Sequence, residues 1–191
     1  MKNNKAFTLV ELLAVVVILG IIMMIAIPNT LSMIDKNKMN TYIENARTFV
    51  SLVQNKVQTD KSLEIPYDDT SVFIMSLGYL NTNDINETPY GGEYDKDASF
   101  VVIKFNSATH KYEYLVNLVS CLEGTSCSKD DPNHWRGIEL TNVSNLNGDD
   151  KFDYVSASGA VANYLSPSGG TVLLASHDGF TGKTLVIMKN S

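Results

Sequence analysis

An apolar run near the start of the chain constrains the fold more than any other feature. It extends from Phe7 to Ile27, and only Thr8 and Glu11 interrupt its apolar character. As a helix rising 1.5 Å per residue, the run would reach about 30 Å, the thickness of the hydrocarbon core of a membrane. It therefore predicts a membrane-spanning helix. Glu11 then needs an explanation, because a carboxylate inside a bilayer costs several kcal/mol unless it is paired.

The charges around the run predict its orientation and the character of the rest. Lys2 and Lys5 precede it, so the positive-inside rule leaves this end in the cytoplasm and sends the remainder outward. The whole chain carries a net charge of −6. Because Lys2 and Lys5 lie ahead of the apolar run, the main body that follows is more acidic still. An acidic body without a stripe of Lys and Arg disfavours direct binding of nucleic acid.

Two simpler interpretations of the run are a cleaved secretory signal peptide and a plain signal anchor. The run is longer than the roughly 7 to 15 apolar residues of a signal peptide. The stretch that follows it offers only Thr30 and Ser32 as a poor pair of small residues for cleavage. A signal anchor accounts for the length and the orientation, but it leaves Glu11 unexplained.

The stretch KAFTLVELL resembles the class III signal of type IV prepilins and their pseudopilin relatives. It combines a short basic leader, Phe7 directly after a small residue, Glu11 four positions later and an unbroken apolar run. The resemblance implies that a prepilin peptidase cleaves between Ala6 and Phe7 and that Phe7 is then N-methylated. In that family the residue before the cut is more often Gly, so Ala6 departs from the pattern.

The same resemblance implies a role for Glu11 and a set of partners. In the family this carboxylate is thought to pair with the N-terminal amine of a neighbouring subunit, and such a pair attracts strongly where water is scarce. The implied product is a homo-oligomeric helical filament. Its implied partners are minor pilins, the prepilin peptidase, the pilus assembly platform protein and, indirectly, the ATPase of that platform.

Gly20 and Pro28 predict a hinge in the apolar helix. Proline lacks the N–H that would bond the carbonyl of Met24, and glycine weakens a helix by about 1 kcal/mol. Bending or melting between the two residues is one interpretation, and family resemblance agrees with it. A mild kink at the membrane exit is the other.

Beyond Pro28 the chain predicts an α+β fold. Apolar residues recur every three or four positions and indicate an amphipathic continuation of the first helix, giving one helix from about Phe7 to Thr59. The predicted stripe consists of Ile34, Met39, Tyr42, Ile43, Ala46, Phe49, Val50, Val53 and Val57. The predicted divisions are a leader at 1–6, a membrane and filament-core helix at 7–28, and an extracytoplasmic head at 29–191, which comprises a half-helix at 29–60, a connecting loop at 61–97 and an antiparallel sheet at 98–191.

Runs of β-branched and aromatic residues predict the strands of that sheet. The first two are joined by a polar turn as a hairpin, and DGFTG suggests a hairpin before the last strand. The predicted strands are 98–105, 111–119, 137–143, 171–176 and 184–189. In the connecting loop, Thr70 to Leu77 predicts a short helix capped by Asp69 or Thr70 and stopped by Gly78. Pro89 and the pair Gly91-Gly92 predict turns, in a loop expected to be exposed and to help neighbouring subunits pack.

Two groups of residues are candidates for covalent or metal bonds. Cys121 and Cys127 enclose a short loop and could form a disulfide worth about 2 kcal/mol, or remain as free thiols. A zinc site that combines them with His110, His134 or His177 would need an unusual spacing. A calcium loop could use Asn147, Asp149, Asp150 and Asp153, although the closing Glu of an EF-hand is missing and an ordinary solvated turn fits as well.

No catalytic motif is evident: the histidines are dispersed, and neither a nucleophile elbow nor a phosphate-binding glycine loop is present. We therefore expect a structural filament subunit without a cofactor, held in the cytoplasmic membrane as a single-pass precursor and assembled into a surface pilus for adhesion, twitching motility, biofilm formation or DNA uptake. One alternative is a pseudopilin of a type II secretion or competence system. The other is an anchored enzyme or binding domain that never polymerises.

Overall fold

The computed structural model describes residues 8–80, 82–85, 87–121, 135–146 and 183–188. Its elements are α1 at Leu9–Thr59, β1 at Ser71–Ser76, α2 at Leu77–Leu80, β2 at Phe100–Asn106, β3 at Lys111–Cys121, β4 at Trp135–Asn142, a 3-10 turn at Val143–Asn145 and β5 at Thr184–Met188. The chain divides into two compact units, Met1–Lys38 and Met39–Ser191. The second unit is called the head below.

The long helix expected from the sequence is confirmed. α1 is continuous over 51 residues, far longer than an ordinary globular helix. Just after the C-terminal end of α1, the carboxylate of Asp60 forms an ion pair with Lys56, with 3.1 Å between Oδ2 and Nζ. Oδ1 of Asp60 accepts hydrogen bonds from the backbone N–H and the hydroxyl of Ser62. The helix ends here because the Asp60 side chain bonds to the backbone N–H of Ser62 and so stabilises a turn in place of a further helical turn.

The five described strands form one sheet in the order β4-β3-β2-β1-β5. The α+β architecture is therefore confirmed, and so is the predicted hairpin, since β2 pairs antiparallel with β3 from Phe100 opposite Asn117 to Asn106 opposite Lys111. The expectation of a purely antiparallel sheet needs a correction, because β1 and β5 run parallel. They come from distant parts of the chain, so no tight turn forces an antiparallel pairing between them.

The short helix predicted over Thr70 to Leu77 is wrong. Most of this stretch is β1, whose sequence SVFIMS is rich in large apolar residues and is buried on both faces. A strand that lies between two neighbours in a sheet has no solvent side, so it lacks the alternation that would reveal it. The predicted cap is also wrong: Asp69 accepts hydrogen bonds from Ser107, and Gly78 lies inside α2.

The connecting segment at 61–97 is consequently less of a loop than expected. β1 is buried and central, which contradicts a fully exposed segment. The predicted turn near Pro89 is present: the Gly91 N–H donates to the carbonyl of Thr88 at 3.1 Å. Gly91 and Gly92 both have positive φ angles, 86° and 77°, which glycine adopts without the steric cost that other residues pay.

The amphipathic half of α1 packs on one face of the sheet, as its spacing predicts. The helix contributes Tyr42, Ile43, Ala46, Phe49, Val50 and Val53, and the strands contribute Phe73, Met75, Val101, Ile103, Val116, Leu118 and Ile138. Each large apolar side chain buried in this way stabilises the fold by about 1.5–3 kcal/mol. On the opposite face a second buried cluster is formed by Val72, Ile74, Phe100 and Val102.

Candidate assembly site

The first turn of α1 holds Glu11 through a reciprocal pair of hydrogen bonds with Thr8. The Thr8 N–H and the Thr8 hydroxyl both donate to Oε2 of Glu11 at 2.9 Å. In return, the Glu11 N–H donates to Oγ1 of Thr8 at 3.3 Å. The N–H of Leu12 donates to the carbonyl of Thr8 at 3.2 Å, which closes the first turn. This is a capping box, with Thr8 as the N-cap and Glu11 at the third helical position.

Thr8 is not among the site residues predicted above, although the sequence carries a signal for it. The spacing T-x-x-E directly before an apolar helix is the pattern of a capping box, and TLVE follows it. The carboxylate also lies at the helix N terminus, where the backbone N–H groups carry partial positive charge. Glu11 therefore has a structural partner within its own chain, and its pairing with a neighbouring amine remains a prediction.

The apolar side chains of α1 that follow this turn are exposed. From Leu9 to Ile27 the large hydrophobic residues are 48 to 81% exposed, and Leu31, Met33 and Ile34 continue the series. Among the residues that the structure describes, α1 is the one helix long and apolar enough to cross a membrane. So much apolar surface is stable only in lipid or against other helices.

The predicted hinge residues both lie within α1. The helix is unbroken at Gly20 and at Pro28, and a Cβ added at Gly20 would meet no atom within 4 Å. Two residues after the proline, the hydroxyl of Thr30 donates to the carbonyl of Ala26 at 2.8 Å. Hydroxyls that bond back to the preceding turn are associated with bends in helices. Bending or melting between Gly20 and Pro28 remains a prediction.

Several predicted site residues lie outside the described part of the chain. They are Ala6, Phe7, Cys127, His134, Asn147, Asp149, Asp150, Asp153 and His177, and the predicted strand at 171–176 lies outside it as well. Cys121, at the end of β3, is described and is disulfide-bonded; Cys127 is the other cysteine of the sequence. The described residues contain no group of three or more His, Cys, Asp or Glu side chains placed to hold a metal ion.

Comparison with known families finds one match, at the N terminus. Residues 1–27 match the family described as the prokaryotic N-terminal methylation motif. No curated protein and no solved structure matches the chain significantly. The match covers the leader, the capping box and most of the exposed apolar part of α1, and it does not extend into the head.

The motif and the helix together define a class of protein: a membrane-anchored precursor with a class III signal, which points to a structural protein. More particularly, they support a prepilin of the type IV pilin or pseudopilin kind. This motif implies in general that the precursor is processed by a prepilin peptidase and that its copies polymerise.

Proposed function

We propose that this chain is the structural subunit of a type IV pilus. It is cleaved between Ala6 and Phe7, methylated at Phe7 and polymerised through α1 into a surface filament. The observation that carries the proposal is the methylation motif at residues 1–27, placed directly on a helix whose apolar side chains are exposed. A simple anchor would need the apolar helix but not the motif.

The exposed apolar side chains of α1 explain how such a subunit can move from the bilayer into a filament. Inside the bilayer, lipid tails satisfy the apolar side chains of α1 as well as another helix would, so the hydrophobic effect does not drive association there. Outside the bilayer the same side chains must avoid water. Packing against the helices of other copies satisfies them, and removing each Å² of apolar surface from water contributes about 25 cal/mol. The filament is therefore held mainly by α1.

Glu11 selects the position of an incoming subunit in this proposal. Its carboxylate is held at the first turn by Thr8, so it is already oriented when the α-ammonium group of Phe7 from an adjacent copy arrives. Two opposite charges in a poorly solvated core attract strongly, and either one alone is penalised. The pair thus sets the register between neighbouring helices.

A Glu11→Gln substitution separates the two roles of this residue. Glutamine can keep the capping box, since Gln serves at this position as Glu does, but it cannot form an ion pair. We expect a processed protein that remains in the membrane and is absent from sheared filaments. The matched control is Glu44→Gln, which removes an exposed carboxylate elsewhere on α1 and should leave assembly unchanged. Wild-type filament yield from Glu11→Gln would show that Glu11 acts only as a cap.

The decisive measurement for the function is the intact mass and N-terminal sequence of the chain recovered from sheared cell-surface material. We expect loss of the hexapeptide MKNNKA and the gain of one methyl group on Phe7. Long surface fibres containing this chain support the pilus. A processed chain confined to short envelope structures would instead identify a pseudopilin, and a chain that retains MKNNKA would identify an anchored protein that does not polymerise.

A further inference from the structure

A row of aromatic rings crosses the head near the end of α1. Tyr67 lies 6.4 Å from Tyr112 between ring centroids, Tyr112 lies 5.4 Å from Phe105, and Phe105 lies 6.3 Å from His110. Phe105 and Tyr112 are direct partners across β2 and β3. Successive rings tilt by 54 to 63°. The two strands and the segment before β1 therefore hold each ring in contact with the next.

An open cleft of about 900 Å³ lies at the Tyr67 end of this row. Its walls come from the last turn of α1, the segment that follows the helix, the start of β1 and Tyr112. The volume falls within the range of ligand-binding clefts, about 300–1,000 Å³. Because the cleft is open rather than enclosed, it suits part of a long molecule better than a small one.

Tyr67 is the most unusual residue of this cleft. Its side chain is 80% exposed, whereas every other exposed large hydrophobic side chain among the described residues lies between Leu9 and Ile34. An exposed aromatic ring beside a cleft offers a bound molecule an apolar face on which to stack.

The charged side chains that line the cleft are of both signs, with more acidic than basic groups. Lys61 supplies one positive charge, Glu64 and Asp68 supply two negative charges, and Gln58 adds an amide. Asp68 is fixed in place, since its Oδ1 accepts hydrogen bonds from the N–H and hydroxyl of Thr70 and from the N–H of Ser71, at 2.6 to 3.1 Å. The hydroxyl of Thr70 is the main cause of the lowered pKa of Asp68, so this carboxylate is an acceptor at neutral pH.

We propose that the cleft and the ring row bind an uncharged polysaccharide. A sugar ring presents an apolar face of C–H groups, which stacks on an aromatic ring, and a rim of hydroxyls, which bond to carboxylates and amides. Successive sugars of one chain would stack on Tyr67, Tyr112 and Phe105 and donate hydroxyls to Asp68 and Glu64. The proposal concerns the head alone and does not depend on polymerisation of α1.

The same features disfavour other long ligands. A single nucleic acid strand also stacks on rings, but its phosphates would meet two carboxylates in the lining of the cleft, Glu64 and Asp68, and one lysine, Lys61. A peptide that adds to a sheet needs an unpaired strand edge. Of the strands that line the cleft, β1 is paired with β2 on one side and with β5 on the other, so its edges are not free for such a peptide.

The test is saturation-transfer NMR on the full-length chain in lipid nanodiscs, which avoids sugar-based detergents. The probes are cellohexaose and N-acetylchitohexaose. We expect transfer to the ring protons of at least one sugar, and a loss of at least fivefold in Tyr67→Ala. Tyr67→Phe should retain the signal because it keeps the ring. Glu64→Gln should weaken binding, whereas Glu87→Gln, an exposed acid outside the cleft, should not.

Tyr67 is exposed, so its substitution leaves the core intact. A loss of sugar binding in Tyr67→Ala therefore reports on the cleft and not on unfolding of the head. No transfer from either sugar would overturn the proposal, and so would transfer that Tyr67→Ala leaves unchanged. Preferential binding of oligo-dT or of an extended peptide at Tyr67 would overturn it as well. None of these outcomes bears on whether the chain enters a filament, which the mass and N-terminal measurement decides separately.

Discussion

The hydroxyl of Tyr42 on α1 lies 3.1 Å from the carbonyl oxygen of Leu118 on β3. The same hydroxyl is 3.2 Å from the carbonyl oxygen of Arg136 on β4. Tyr42 is fully buried, and its ring meets that of Tyr94 edge-on at 5.1 Å. A buried hydroxyl needs a hydrogen-bond acceptor, so this contact specifies where along the sheet the helix sits.

We expect Tyr42→Phe to lower the free energy of unfolding of the head by about 1–2 kcal/mol, because it removes a buried hydrogen bond while keeping the ring. Urea unfolding of the full chain, followed by the fluorescence of the single tryptophan, measures the change. Tyr67→Phe, which alters an exposed hydroxyl, is the control and should leave the midpoint in place. Equal midpoints for both variants would show that the hydroxyl of Tyr42 contributes nothing.

The head should lose stability at alkaline pH. Burial raises the pKa of Tyr42 well above its usual value, with a smaller contribution from nearby Tyr94, and burial raises the pKa of Tyr94 too. The unfolded phenols ionise at about pH 10, whereas the folded ones stay protonated. The free energy of unfolding is therefore maintained below about pH 10 and falls above it. In Tyr42→Phe the fall should be less steep; parallel curves would contradict this assignment.

Gly137→Ala should destabilise the head strongly. A Cβ at Gly137 would lie 2.2 Å from the carbonyl oxygen of Leu118 and 2.7 Å from the Cα of Val119. Both are backbone atoms of β3, next to a shift in its register with β4, so they cannot move aside cheaply. We expect a loss of about 3 kcal/mol or more in urea unfolding. Gly20→Ala, where space is open, should not destabilise the protein. A mild effect at Gly137 would mean that the strands separate easily here.

Thr8→Val should loosen the start of α1. It removes the hydroxyl that caps the helix and bonds Glu11, at a cost of about 1 kcal/mol. Amide hydrogen exchange of the full chain in nanodiscs should show rates about fivefold higher at Glu11 and Leu12, whose N–H groups bond to Thr8. Thr8→Ser keeps the hydroxyl and should exchange like the wild type. Unchanged rates in Thr8→Val would show that the surroundings, rather than the capping box, order this turn.

Cys121→Ser should lower the stability of the head by about 2 kcal/mol, because without the disulfide the unfolded chain regains conformational entropy. Cys121 is disulfide-bonded at the end of β3, where the strand pairs with Trp135 of β4. The expected signs are a lower thermal midpoint and insensitivity to reducing agent, whereas the wild type should fall to the same midpoint when reduced. A wild-type midpoint that ignores the reductant would contradict this role.

The elements with strong local signals were predictable. The β2–β3 hairpin follows from two β-branched runs and a polar turn between them, and α1 follows from the recurrence of apolar residues from Ile34 to Val57. The sequence predicts a helix at β1 because SVFIMS carries an unbroken run of large apolar residues, Val72 to Met75, with no alternation. A fully buried strand and a buried helical turn have the same composition, and only the neighbouring strands distinguish them.

At the N terminus the sequence alone determined the site. The spacing of the basic leader, Phe7 and Glu11 is a local pattern, and the methylation motif depends on nothing more distant. The aromatic row and its cleft could not be predicted in full at that level, since Phe105 and Tyr112 share the predicted hairpin but Tyr67 lies much earlier in the chain. Only the fold brings them together. The pairing of β2 with β3 places two of the rings side by side, and the segment after α1 carries the third beside them. Local spacing specifies a helix and its caps, whereas a surface built from separate strands exists only once their register is set.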